Sequence, residues 1–258
     1  MKNPDAIVIG AGLVGACAAL ALTNAGLKVL VIDRGPVASG TTGAGEGNIL
    51  VSDKEPSAEL TLALRSRDAW FELNTDVGGG FELEDKGGVV ISRSSQGIDN
   101  LKKLSKLQAQ NGIDVVQLDA AGIRQIEPHI SKDVEYAVLY PQDAQCQPML
   151  AAACIMRAVR KRGGVFIQGE NVKSITVESG KVVGLVTEKN RYSSPIIINA
   201  TGTWAGEIAK MAGSYLPIMP RRGFILVTAP APKIVHHKVY DADYVANVAS
   251  SDADLQSS

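Results

Sequence analysis

The first 33 residues carry the clearest hydrophobic pattern in the chain. The run AIVI (6–9) is short, fully apolar and ends at a glycine, which is typical of a buried strand. The run ACAALALTNAG, after Gly15, favours a helix that ends at Gly26, and KVLVID (28–33) repeats the pattern of a buried strand. Two such strands joined by a helix predict a βαβ unit with parallel strands.

The same apolar start could instead indicate a membrane anchor or a secretion signal, because no charged residue lies between Asp5 and Lys28. A spanning helix needs about 20 consecutive apolar residues, whereas Gly10, Gly12 and Gly15 interrupt this run. Glycines at that density break a helix. We therefore expect a strand, a tight turn and a helix here, and no spanning segment.

The three glycines have the G-x-G-x-x-G spacing of a dinucleotide-binding turn. Gly10 permits the sharp turn, Gly12 lets a pyrophosphate approach the backbone, and Gly15 lets the helix pack close to the strand. The phosphates would bind at the helix N-terminus. Asp33 ends the second strand, where a carboxylate can accept hydrogen bonds from ribose hydroxyls or can simply terminate the strand. This pattern leaves NAD and FAD open.

Composition and charge exclude several classes of protein. The 258 residues, 45% of them hydrophobic, can form one large domain or two smaller ones. A net charge of -1 does not indicate a nucleic-acid-binding surface, which would need clustered Lys and Arg. The basic run RAVRKR (157–162) lies at the end of a predicted helix, where cations interact favourably with the helix dipole. Three scattered cysteines indicate no disulfide framework, which favours a reducing, cytoplasmic compartment. The adjacent His236 and His237 lack a third ligand, so no metal is expected.

Two later stretches favour FAD. SGTTGAGEGNIL (39–50) combines small residues and hydroxyls that could run backbone N–H groups along an extended cofactor, and NAD needs no such second loop. PIIINATGTWAG (195–206) predicts a buried strand followed by a second backbone approach to the dinucleotide.

These motifs also occur in a specific order along nearly the whole chain. The order is VIGAGLVG, Asp33-Arg34, SGTT, a helix with Trp70, IEPHI, YPQDAQCQP, NATGTWAG and MPRRGFILVT. In this order the chain resembles the FAD-dependent oxidoreductases of the D-amino acid oxidase family, the group around glycine oxidase, sarcosine oxidase and D-hydroxyproline dehydrogenase.

The resemblance implies where FAD would lie. Residues 13 and 14 would border the pyrophosphate turn, 33 and 34 would meet the adenosine, 41 and 42 the phosphates, 46–48 the flavin ring, and the backbone at 172 the adenine region. The FAD-binding candidates are Gly10, Gly12, Leu13, Val14, Gly15, Asp33, Arg34, Thr41, Thr42, Glu46, Gly47, Asn48, Val172, Ala200, Thr201, Gly202 and Trp204. No His or Cys lies in the TTGAGEGN loop, so noncovalent FAD is expected.

The change of pattern along the chain predicts the domain organisation. Helical periodicity is found in 57–73, 100–112 and 148–164, and a β-hairpin is predicted to turn at Ser179 and Gly180. The predicted fold class is α/β: a Rossmann-like FAD-binding domain with a parallel sheet (1–78 and 143–213), and a smaller, mostly antiparallel α+β substrate domain (79–142 and 214–258).

The resemblance implies an amine or amino acid substrate. The flavin takes a hydride from the carbon bonded to the amine nitrogen, and the imine then hydrolyses, so a dedicated acid/base pair need not appear and the catalytic residues stay unknown. Arg221 and Arg222 are candidates to hold a substrate carboxylate, with a structural ion pair as the alternative. Tyr244 matches a substrate-facing tyrosine of the family, with core packing as the alternative.

The family normally continues beyond the point where this chain ends, so a truncated member is expected, alone inactive. Two alternatives stay open for the function: an FAD-linked 2-hydroxy acid dehydrogenase, and a non-catalytic FAD-binding subunit of a larger oxidoreductase complex. Partner subunits or a homo-oligomer are possible partners besides the small-molecule substrate.

Overall fold

The computed structural model describes residues 3–242. In chain order, the strands and helices are β1 (Ala6–Ile9), α1 (Leu13–Asn24), β2 (Val29–Asp33), β3 (Asn48–Ile49), α2 (Ala58–Asp76), β4 (Gly88–Ser92), α3 (Ser95–Gln110), β5 (Val116–Asp119), α4 (Ala120–Ile126), β6 (Tyr136–Tyr140), β7 (Ala144–Gln145), α5 (Pro148–Lys161), β8 (Val165–Gln168), β9 (Val172–Glu178), β10 (Lys181–Thr187), β11 (Arg191–Ser193), β12 (Ile197–Asn199), α6 (Ala205–Met211) and β13 (Lys238–Asp241). Two 3₁₀ turns cover Thr41–Ala44 and Gly202–Trp204.

The described residues form two compact units. The first comprises 3–47, 74–82 and 147–226, and the second comprises 48–73, 83–146 and 227–242. Residues 48–73 were expected in the FAD-binding domain, within 1–78, but they fall in the second unit. Val51 and Leu60 of this stretch pack into the same apolar cluster as Val90 and Val138, which accounts for the difference.

The first unit is built on a parallel sheet with the strand order β12-β1-β2-β8. Ile7 of β1 pairs with Leu30 on one side and with Ile197 on the other. β1 is fully buried, as are the first four residues of β2, because the strands of a parallel sheet are covered on both faces. The predicted βαβ unit of β1, α1 and β2 is therefore confirmed.

The first unit also contains an antiparallel meander of β9, β10 and β11. Ser179 (φ 49°) and Gly180 (φ 74°) connect β9 to β10, and two successive positive φ angles are what a tight two-residue hairpin requires. The predicted hairpin is confirmed. Ile175 and Leu185 of the meander pack against the side chains of the parallel sheet, so the two sheets share one apolar core.

Helix α5 of the first unit has one buried and one exposed face. Gln147 accepts hydrogen bonds at its N-terminus through its side chain, and Pro148 occupies the first turn, where no backbone donor is lost. Ile155 and Val159 are fully buried, whereas Arg162, just after the helix, binds the Asp76 carboxylate with two hydrogen bonds of 2.8 and 3.0 Å. The predicted helix over 148–164 is confirmed with slightly shorter bounds.

The second unit contains a four-stranded sheet with the order β13-β4-β6-β5. Strand β6 is antiparallel to both β4 and β5, and only β13 runs parallel to β4. The mostly antiparallel character was predicted, and with the parallel sheet of the first unit it confirms the fold class. Residues 214–258 were expected to supply further strands. Of their described part, only β13 is a strand, and 214–237 contain neither helix nor strand.

Candidate cofactor site

The turn between β1 and α1 is shaped by two glycines that leave no room for a side chain. Gly10 has φ 107°, and a Cβ there would overlap the Ala200 carbonyl oxygen. The Ala200 N–H in turn donates to the Ile9 carbonyl oxygen (2.9 Å), which fixes the end of β12 beside the turn. A Cβ at Gly15 would overlap the Gly10 carbonyl oxygen. Gly15 therefore allows the close approach of helix and strand.

Gly12 is different, because a side chain there would press on one side-chain atom and on no backbone atom. A Cβ on Gly12 would meet only the Thr42 hydroxyl oxygen, at 3.1 Å. That hydroxyl accepts a hydrogen bond from the Leu13 N–H (3.0 Å) and so occupies one donor of the helix N-terminus. The first turn of α1 contains no acidic residue, and Val14 is 73% exposed. The positive end of the helix dipole therefore faces open space, which suits an anion.

The Asp33 carboxylate is hydrogen-bonded within the turn itself. Oδ2 accepts from the Ala11 N–H (2.7 Å), and Oδ1 accepts from the Gly35 N–H (2.8 Å). Each carboxylate oxygen carries two lone pairs, so both can accept a further hydrogen bond. The sequence predicts a carboxylate that meets a ribose, and the structure adds a second role: Asp33 holds the glycine-rich turn.

Arg34 and Trp204, two candidates far apart in sequence, lie together. The Arg34 guanidinium stacks on the Trp204 ring at 4.1 Å from the ring centroid, which is the geometry of a cation–π contact. The segment before Trp204 is ordered by Asn199, whose Oδ1 accepts from the Thr201 hydroxyl (2.7 Å) and whose Nδ2 donates to the Ala205 carbonyl oxygen (2.9 Å). Gly202, in this segment, has φ 60°.

The remaining candidates are spread over several elements. Thr41 is exposed at the start of the 3₁₀ turn, and Glu46 is exposed a few residues later. Gly47 has φ 75°, a conformation that favours glycine. Asn48 opens β3 of the second unit with an exposed side chain. Val172 is buried (5% exposed) at the start of β9, so only its backbone could face a ligand.

The substrate candidates lie partly outside the described residues. Arg221 and Arg222 lie on the irregular stretch 214–237 and are exposed. Tyr244 lies outside the described residues. Their proposed contacts with a substrate therefore stay predictions.

Sequence reasoning missed Glu170, which is only 6% exposed and lies directly behind Asp33. Its N–H donates to the Asp33 carbonyl oxygen (3.2 Å). Its carboxylate accepts hydrogen bonds from Thr187 (2.6 Å), Asn190 (2.8 Å) and Tyr192 (3.1 Å). Burial alone would raise the pKa of this carboxyl, but the hydrogen bonds outweigh it and hold the pKa below its usual value. Nothing in the sequence indicates that a glutamate two positions before β9 is buried and accepts these hydrogen bonds.

Ala38 is a second residue that the sequence did not indicate. It adopts a left-handed conformation (φ 60°), is 4% exposed, and its N–H donates to the Ala11 carbonyl oxygen (3.0 Å). Together with the bonds of Asp33 and Thr42, this contact ties the loop after β2 to the glycine-rich turn at three points. The turn is thus held from outside its own sequence.

The second unit contains a separate buried polar cluster around Asp143. Its carboxylate accepts from the N–H groups of Val51 (2.9 Å) and Ser52 (3.2 Å) and from the Ser52 hydroxyl (2.5 Å), which also contacts the Tyr240 hydroxyl. Burial raises the pKa of Asp143, and the hydrogen bonds and the Lys238 cation only partly offset this. The cluster fixes the backbone that follows β3.

Two kinds of feature are absent from the described residues, 3–242. They contain no group of three or more His, Cys, Asp or Glu side chains arranged to hold a metal ion. They also contain no helix that is both long and apolar enough to cross a membrane.

The chain is similar to known proteins in both sequence and structure. Among curated sequences, anaerobic glycerol-3-phosphate dehydrogenase subunit A1 of Haloferax volcanii is 28% identical over 88% of this chain and 41% of its own length. The D-amino acid dehydrogenase of Rhizobium johnstonii is 25% identical over 92% of this chain and 71% of its own length. The chain thus spans less than half of the first relative.

Among solved structures, glycine oxidase from Geobacillus kaustophilus superposes with a TM-score of 0.83 at 22% identity, covering 93% of this chain and 66% of that one. This likeness shows a shared fold. The model of the FAD dependent oxidoreductase family, DAO, matches residues 5–254, so the chain belongs to this family.

Proposed function

We propose that the first unit binds FAD noncovalently, with the pyrophosphate at the N-terminus of α1. The solvent-exposed N-terminus of α1, where Val14 is 73% exposed and no acid lies in the first turn, carries this proposal. A pyrophosphate needs such close access to backbone N–H groups. The exposed first turn of the helix and the turn held by Asp33 and Thr42 support the same placement.

The proposal assigns roles to the residues around this turn. Asp33 accepts hydrogen bonds from the ribose with the lone pairs that the turn leaves free, and Arg34, held by Trp204, lies beside the adenosine. Ala200, Thr201 and Gly202 form a second backbone approach. Glu46, Gly47, Asn48, Thr41 and Val172 keep the roles given by the family resemblance, and the first and second units correspond to the cofactor and substrate domains.

We propose that the whole protein oxidises an amine or amino acid. Bound FAD supplies a two-electron acceptor that takes a hydride from the carbon next to the nitrogen. The chain's own residues bind the cofactor, orient it and exclude water, while Arg221, Arg222 and Tyr244 are the candidates for substrate contact. The D-amino acid dehydrogenase of Rhizobium johnstonii, 71% of whose length is covered by this chain, supports an amine substrate.

A second candidate is oxidation at a C–O bond by an FAD-linked 2-hydroxy acid dehydrogenase, and a third is a non-catalytic FAD-binding subunit of a larger oxidoreductase complex. The relative named subunit A1 of a glycerol-3-phosphate dehydrogenase favours these alternatives. The hydride geometry of C–O oxidation is the same as that of amine oxidation, because in both cases a hydrogen leaves a carbon that bears a heteroatom.

An absorption spectrum and a substrate panel test these proposals. The purified chain should show flavin bands that pass through a filter after denaturation, since noncovalent FAD is released. A colourless protein that takes up no added FAD contradicts the binding proposal. The substrate panel is run on the whole protein with a dye as electron acceptor. Reduction of the dye by amino acids or secondary amines favours the first function, and its reduction by 2-hydroxy acids or glycerol 3-phosphate favours the second.

A further inference from the structure

A cavity of about 480 Å³, wide open to solvent, lies at the surface of the first unit beside the exposed face of α5. None of the predicted FAD-binding residues lines it. Its lining combines three cations with apolar side chains, and those that matter here are Arg157, Arg160, Lys161, Val37, Met156 and Phe166. The volume is within the range of small-molecule sites, roughly 300–1,000 Å³.

The three cations point into one place because of their spacing. Arg157, Arg160 and Lys161 are three and four positions apart, so they share one face of α5. Within residues 3–242, none of them forms an ion pair, and no acidic side chain lines the cavity. Arg162, the next cation along, is by contrast paired with Asp76. Three like charges without counter-ions repel each other, so an anion in the cavity would relieve this repulsion.

The helix dipole does not account for all three cations. A cation is stabilised by the dipole within the last turn of a helix, which here holds Arg160 and Lys161. Arg157 lies before that turn, and the one hydrogen bond of its side chain within residues 3–242 reaches the Cys154 sulfur at 3.6 Å. Its guanidinium therefore remains able to form bidentate hydrogen bonds with an oxyanion.

The apolar side of the cavity selects for more than a simple ion. Met156 is 2% exposed and fixed in the core, Phe166 lies on β8, and Val37 follows β2. An inorganic anion would leave this apolar surface in contact with water, whereas an organic anion would cover it. A phosphate ester, with up to two negative charges, matches three cations better than a single carboxylate does.

We propose that this cavity binds an organic phosphate. The phosphate pairs with Arg157, Arg160 and Lys161, and the apolar part of the ligand lies against Val37, Met156 and Phe166. The ligand could be a free phosphate ester or the phosphate headgroup of a lipid. The proposal goes beyond the proposed oxidation and uses none of its residues.

The test compares two triple variants of the FAD-loaded chain that lose the same charge. One is Arg157→Gln/Arg160→Gln/Lys161→Gln. The matched control replaces three exposed lysines of the second unit, Lys103→Gln/Lys106→Gln/Lys132→Gln. Both sets are exposed, so both proteins should fold and retain FAD, which the flavin spectrum and circular dichroism verify.

Isothermal titration with octyl phosphate, below its micelle concentration, gives the first readout. The unmodified chain should bind octyl phosphate about tenfold more tightly than it binds inorganic phosphate or 1-octanol, because both parts of the cavity are used. The first triple variant should weaken this binding about tenfold or more, and the control triple by less than about twofold.

Vesicle sedimentation distinguishes the two sources of phosphate. Phosphatidylcholine vesicles with and without phosphatidic acid are compared for all three proteins. A lipid headgroup is assigned if the unmodified chain and the control sediment with phosphatidic acid vesicles, the first triple variant does not, and the unmodified chain does not bind octyl phosphate. Binding of octyl phosphate that depends on the three cations assigns a free ester. If neither binding depends on these cations, or if both triple variants lose it equally, the proposal is overturned.

Discussion

Removal of the Asp33 carboxylate should weaken both the fold of the first unit and its affinity for FAD. The carboxylate accepts two backbone hydrogen bonds, from Ala11 (2.7 Å) and from Gly35 (2.8 Å). A hydrogen bond to a charged group contributes about 1.5–3 kcal/mol. Asp33 is only half-buried, so the lower end of that range applies to each bond. We expect Asp33→Ala to lower the free energy of unfolding of the FAD-free protein by about 2–4 kcal/mol.

The effect on FAD binding adds to the effect on stability. Loss of the acceptor for the ribose hydroxyls should cost about 1.5–3 kcal/mol of binding free energy, which is roughly 10- to 150-fold in Kd. Asp33→Asn retains one oxygen acceptor, so it should lose about half of each effect. Asp99→Ala, which removes an exposed carboxylate on α3, is the control for charge and should change neither quantity.

Two assays separate the two roles of Asp33. Urea denaturation of the FAD-free proteins, followed by circular dichroism, measures the free energy of unfolding, and flavin fluorescence titration measures Kd. If Asp33→Ala weakens FAD binding but leaves urea denaturation unchanged, the two hydrogen bonds do not stabilise the turn and the reasoning is refuted. If Kd is also unchanged, Asp33 merely terminates β2.

Three further predictions concern the same unit. Gly15→Ala should prevent folding of the unit, because the new Cβ overlaps a backbone carbonyl oxygen, whereas Gly223→Ala, with open space around it, should change the circular dichroism spectrum little. The pKa of Glu170 is lower in the folded protein than in the unfolded chain, so Glu170 stabilises the fold fully above its unfolded pKa and loses this effect as pH falls through its folded pKa. Glu170→Gln should therefore make the free energy of unfolding less dependent on pH at the acid end of the curve. Thr42→Val should lower the free energy of unfolding by about 1 kcal/mol through loss of the hydroxyl that accepts from the α1 N-terminus, and Thr41→Val should not.

Local patterns in the sequence predicted the parts of the fold that depend on local physics. The helix-to-strand contact at Gly15 and the hairpin at Ser179 and Gly180 follow from backbone sterics, which a few adjacent residues decide. The family motifs also predict which loops approach the cofactor, and these contacts stay predictions. These features therefore needed no knowledge of distant contacts.

The remaining features depend on contacts between distant parts of the chain. The hydrogen bond from Ala11 to Asp33 and the buried contacts of Glu170 exist only once the loops are in place, and no spacing in the sequence encodes them. Residues 214–258 were assigned to the antiparallel domain, but a strand also needs a neighbour for its backbone groups, which a domain assignment does not supply. The cavity beside α5 depends on side chains from three elements.

The strand order of the parallel sheet has a consequence for synthesis of the chain. The central strand β1 lies between β2, its neighbour in sequence, and β12, which begins about 190 residues later. At a translation rate of about 5–20 residues per second, β12 is synthesised roughly 10–40 s after β1, and one edge of β1 stays unpaired during that time. The apolar surface of the first βαβ unit is exposed for that time, so chaperone occupancy of nascent chains should fall sharply once β12 has emerged.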